Sequence, residues 1–181
     1  MKTTLITLIF FFLATQSFAR QAAPEREGFV IGITAGMGVL SISGDNAGLS
    51  DGADISLPNL KAGWMVTPRL AALISLPGIT YEDGSVDRSF DGIIPSVQYW
   101  TKPNWWISGG FGLGLDLRAF YEDEGDNNFG TACQFSTGYE FYRKGRFALD
   151  LQGTLFAAKV NTDNGSREAV SFLTGIGINF N

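Results

Sequence analysis

Few side chains in this 181-residue sequence are equipped for chemistry. There is no histidine, and there is one cysteine, Cys133. Without histidine, neither a Ser-His triad nor a His-activated water is available, so no enzyme is expected. A lone cysteine permits no internal disulfide. Acidic residues gather in Glu122-Asp123-Glu124-Gly125-Asp126 and, more loosely, at Asp45, Asp51 and Asp54. Carboxylates bind Ca²⁺, but neither set has the fixed spacing of an EF-hand loop. Both read as solvated loop, and no metal or cofactor is expected. A different set falls within or beside extended segments: Lys61, Arg69, Asp116, Arg118, Glu140 and Asp150. Charges removed from bulk water must pair or be hydrated. The expectation is a polar network in which Lys61 and Arg118 meet Asp116, Glu140 and Asp150, with Arg69 in the same set.

The composition narrows what positions these groups. A formal charge of −5 argues against nucleic acid as a partner. Apolar residues make up 45% and charged residues 17%, too apolar for a disordered chain. No run of about 20 apolar residues occurs after the first segment, so no spanning helix is expected there. Residues 1–19 read as a cleaved secretory leader. Lys2 supplies the positive start, Leu5 to Leu13 the apolar run, and Ser17-Phe18-Ala19 the small residues before cleavage. No cysteine follows the apolar run, so a lipoprotein is excluded. Loss of Lys2 with the leader takes the formal charge from −5 to −6. Residues 20–27 read as a short polar tail, and 28–181 as one domain.

From Gly28 onward the chain alternates with period two, the signature of strands. Along 105–118, Trp105, Ile107, Phe111, Leu113, Leu115 and Leu117 share one face, and Trp106, Ser108, Gly110, Gly112, Gly114, Asp116 and Arg118 the other. The segments 129–142, 147–157, 169–180 and 29–39 repeat the pattern. Weaker strands are placed near 54–66, 69–80 and 89–101, where Pro58, Pro77 and Pro95 mark bulges or breaks. Eight strands follow. Thr67-Pro68, Lys102-Pro103 and Lys144-Gly145 mark short turns after even strands. Polar loops near 42–53, 81–88, 120–127 and 160–168 follow odd strands.

Alternation alone does not say which face is outside. The second face is rich in Gly, Ala, Ser, Thr and Gln, a composition suited to a crowded barrel interior and poor for a wet surface. Aromatics gather at the strand ends: Trp64, Tyr99, Trp100, Trp105, Trp106, Tyr139, Phe141 and Phe147 lie beside the short turns. Such placement reads as an interfacial girdle around a lipid-facing band. Charge at mid-strand is confined to the other face, as the cost of charge in lipid requires. Cys133, between Thr131 and Phe135 on the apolar face, reads as a small lipid-facing or buried residue. The fold class expected is all-β: an eight-stranded antiparallel up-and-down transmembrane β-barrel.

Over residues 28–180 the chain resembles the small eight-stranded outer-membrane barrels of the OmpA/OmpX type. The resemblance rests on the leader, the eight alternating strands, the alternating loop lengths and the near-terminal aromatic in Gly175-Ile176-Gly177-Ile178-Asn179-Phe180. It implies a bacterial outer-membrane location and outer-membrane lipid as the surroundings. It also implies that Phe180 acts as the C-terminal signal read by the assembly machinery, although here Asn181 follows. A monomer is expected, with a surface partner reached through the acidic loops. A structural or surface role leads. The alternatives are a narrow pore or transporter for small, including hydrophobic, molecules, and a soluble periplasmic lipocalin-like binding barrel.

Overall fold

The computed structural model describes residues 26–44, 52–83, 86–118, 126–163 and 165–181. The expected leader, residues 20–25, Asp45, Asp51 and the acids at 122–124 lie outside the described residues. Nine strands form: β1 (Phe29–Gly44), β2 (Gly52–Thr67), β3 (Leu70–Leu76), β4 (Gly78–Asp83), β5 (Val86–Lys102), β6 (Trp105–Arg118), β7 (Asn128–Lys144), β8 (Phe147–Thr162) and β9 (Gly165–Phe180). Each pairs antiparallel with its neighbours, and β1 pairs with both β2 and β9, so the sheet closes on itself. Closure removes the unpaired edges of an open sheet.

β3 and β4 are two halves of one barrel stave, which reconciles nine strands with the eight expected. Pro77 breaks it, because proline has no N–H to give the ladder. There the ladder is patched: Gly78 N–H donates to the Asn59 side-chain oxygen at 2.7 Å, and Gly92 N–H to Pro77 O at 2.9 Å. The β1–β2 register shifts between Thr34 and Gly36, opposite the segment holding Pro58. Pro95 stays in register opposite Ile74.

Two-residue turns join β2 to β3, β5 to β6 and β7 to β8, at Pro68-Arg69, Pro103-Asn104 and Gly145-Arg146. At the other end, two expected loops are corrected. Within 81–88 the ladder runs on from Tyr81↔Arg88 to Asp83↔Val86, and within 160–168 from Val160↔Arg167 to Thr162↔Gly165. Strands of 16 or 17 residues outrun the 9–11 needed to cross a bilayer. Beyond the bilayer both faces become polar, and the apolar alternation that marks a strand disappears.

The outer wall is apolar. Ile31, Met37, Ile74, Val97, Phe111, Leu113, Phe135, Leu155, Phe172 and Ile176 all point outward and are exposed. A soluble lipocalin-like barrel puts that face inward, so this alternative is overturned. Cys133 is exposed on the same wall. The lumen is layered. Towards the hairpin end it is packed with apolar side chains, including Ile79, Phe90, Ile94 and Phe156, all buried. A hydroxyl and amide layer follows, with Ser75 bonded to Ser96 at 2.8 Å and Thr154 donating to Ser136 at 2.9 Å. Nearest the two-residue turns, Trp100 and Trp106 pack with Val30, Met65, Ala71 and Leu73.

Candidate functional site

The charged residues of the lumen form two clusters, one at each end. At the hairpin end Asp116 is the hub and is completely buried. It faces inward because it continues the even-numbered face of β6. Arg88 of β5 donates from Nε to its Oδ1 at 2.9 Å, and the Tyr81 hydroxyl of β4 donates to the same oxygen at 2.7 Å. Arg167 of β9 donates to Oδ2 at 2.9 Å, and Asn128 of β7 at 3.3 Å. Arg88 also reaches Asp126 O at 2.8 Å, which ties down the chain entering β7. Four strands besides that of Asp116 therefore converge on one carboxylate.

At the turn end the hub is Glu140, 2% exposed. Trp100 Nε1 donates to it at 2.8 Å, Arg26 at 2.9 Å and Arg143 at 2.9 and 3.1 Å. Arg26 precedes β1. Gly28 turns the chain with φ 74°, a left-handed conformation that glycine adopts without strain. The Arg26 side chain then crosses the mouth of the barrel, stacks over the Trp100 ring at 4.5 Å and donates to Pro103 O at 2.6 Å. Burial pulls its guanidinium below the usual arginine range, while Glu140 holds it up. Arg143 also donates to the Asn181 side-chain oxygen at 2.5 Å, so the residue after Phe180 folds back into this cluster.

Asp150 accepts from Trp106 Nε1 at 2.9 Å and from Gln152 at 2.7 Å. Lys61 lies over the face of the same indole at 4.2 Å and donates to Gln98 at 3.2 Å. The Trp106 ring fits because residue 138 is glycine, where a Cβ would collide with the indole.

These positions revise the site expected from sequence. Lys61, Glu140 and Asp150 gather near the turn end, whereas Asp116 belongs to the other cluster, so one network becomes two. Arg69 is exposed on the β2–β3 turn and is not a lumen residue. Arg118 is half-buried opposite Arg88, and Arg88 and Arg167 make the ion pairs to Asp116. Trp100 and Trp106 are 1% exposed and line the lumen, so they do not belong to a girdle. Their parity gives the reason: each shares the inward face with Gln98 or Ser108. Trp64, Tyr99, Trp105, Tyr139, Phe141 and Phe147 point outward around the turn end, with Trp105 and Tyr139 rings 5.9 Å apart. Phe180 also points outward, under the Arg146 guanidinium at 4.6 Å. Sequence reasoning missed Arg26, Tyr81, Arg88, Arg143 and Arg167. Extending the parity of β5 and β9 into the supposed loops finds Arg88 and Arg167. Nothing periodic marks Arg26.

Both clusters hold their carboxylates in saturated hydrogen-bond shells, with no open position for a reacting group. Among the described residues, no three Asp, Glu or Cys side chains converge as metal ligands.

A closed antiparallel ring, apolar outside and packed with layered polar and apolar groups inside, defines the class. It has the fold of a small transmembrane β-barrel with eight staves. Solved structures share this fold. Neisserial surface protein A is 16% identical with a TM-score of 0.59, over 84% of this chain and 96% of that one. The attachment invasion locus protein Ail of Yersinia pestis is 16% identical with a TM-score of 0.55, over 86% of this chain and 100% of that one. No family model and no curated protein matches the sequence.

Proposed function

We propose that this chain is a non-enzymatic integral protein of the outer membrane, whose sealed barrel is a rigid anchor for the surface at its hairpin end. The observation that carries this reading is the packed lumen. Phe90, Phe156, Ile79 and Ile94 are each at most 1% exposed and fill the interior across the hairpin half. Eight staves leave an interior just wide enough for side chains, and here those side chains are large and interlocked. The same packing weighs against a conduit. The acidic segments between β1 and β2 and between β6 and β7 are the parts offered to a surface partner.

Export through the 1–19 leader and assembly through Phe180 complete the reading, with the outward aromatics at the turn end set at the lipid interface. Membrane fractionation and planar-bilayer recording test it. The protein should partition with the outer membrane, run compact on a detergent gel until boiled, and give no single-channel steps. Recovery in the soluble fraction, or discrete conductance from the unmodified chain, overturns it.

A further inference from the structure

Between the apolar packing and the tryptophan layer, the lumen leaves a polar chamber of about 30 Å³. A water needs roughly 10–15 Å³ measured this way, so the space suits two waters or one small ion. Among the described residues no carboxylate lines it, and the one charged wall residue is Lys61. The remaining polar wall includes Ser108, Ser136, Gln134 and Thr154, all able to donate. Thr154 already donates to Ser136, which leaves the Ser136 proton free to point into the space.

Among the described residues, Lys61 has no directly bonded anion. Its contacts are Gln98 Oε1 and the Trp106 ring face. Asp150 sits at the N–H edge of that indole and is engaged by Trp106 and Gln152. Elsewhere Glu140 is shared by Arg26 and Arg143, and Asp116 by Arg88 and Arg167. Lys61 and Asp150 are the cation and the carboxylate held at the same indole. On its chamber side the Lys61 ammonium meets no carboxylate among the described residues, and there it favours an anion or an acceptor oxygen.

We propose that the chamber beside Lys61 binds one small inorganic monoanion of halide size, held by the ammonium and by hydroxyl and carboxamide donors of the wall. The site goes beyond the anchor reading and does not depend on it.

Bromide is the probe. The barrel refolded and crystallised in sodium bromide should show an anomalous peak within hydrogen-bonding distance of Lys61 Nζ, lost in Lys61→Met. In detergent, the temperature at which the gel-compact form disappears should be higher in bromide than in gluconate at equal ionic strength, and equal in the two salts for the variant. A chamber holding only water, or a bromide peak that survives Lys61→Met, overturns the proposal. If the variant does not fold, the bromide map and the salt comparison of the unmodified protein decide alone. Conductance through the barrel would sink the anchor reading and leave the bromide result to be judged separately.

Discussion

Glu140 draws donors from three separated parts of the chain, and each loses its acceptor if the carboxylate goes. Removing one partner of a buried ion pair costs about 3–5 kcal/mol, because the remaining charge stays buried and uncompensated. Arg26 and Trp100 are both buried, so Glu140→Ala should fall in that range. Urea unfolding of the barrel in lipid vesicles measures it. Trp106→Phe is a finer probe: it keeps a ring beneath Lys61 but removes the N–H that Asp150 accepts at 2.9 Å. An unsatisfied buried acceptor costs about 1–3 kcal/mol, and the same titration should show a loss of that size. Tyr139→Phe, on the outward face beside Glu140, should change little. Equal effects from Trp106 and Tyr139 would mean that inside and outside are not distinguished as described.

At the scale of elements, the strands run further than their apolar pattern does. The β4–β5 and β8–β9 ladders extend to Asp83↔Val86 and Thr162↔Gly165, so backbone amides in 86–88 and 160–162 should exchange slowly with deuterium. Exchange at the rate of open loop would return both segments to the loops that their composition suggests. Alternation was readable in β1 and β6 to β9 because lipid imposes one apolar face. It failed at Glu82 and Asp87 because beyond the lipid no such rule operates. Parity, carried through regardless of polarity, would have placed Arg88 and Arg167 in the lumen. Trp100 and Trp106 went astray for a related reason. Their position near strand ends suggested a girdle, while their even numbers set them on the inward face. Arg26 was unreadable, since its place depends on the turn at Gly28 and on a Glu140 114 residues away.

For the whole molecule, the decisive property is that the apolar layer faces out while the charges face in. Leu113 tests it at one position. It is 56% exposed on β6, opposite Thr131 and Ile93 in the neighbouring strands. In water, a substitution at so exposed a site changes stability by no more than about 0.5 kcal/mol. In a bilayer, an arginine on the lipid face near the midplane costs about 2–4 kcal/mol. Lys159 supplies the contrast. It is also on the outer wall, but near the hairpin end and paired to Glu168 at 2.6 Å, with both side chains more than half exposed. A cation there sits towards the interface, where the penalty falls to about 0–1 kcal/mol. Leu113→Arg should therefore destabilise the vesicle-embedded barrel by about 2–4 kcal/mol in urea titration, and Lys159→Ala by less than about 1 kcal/mol. If Leu113→Arg proved as mild as Lys159→Ala, the wall around β6 would not lie in the hydrocarbon, because no other property of so exposed a site distinguishes the two.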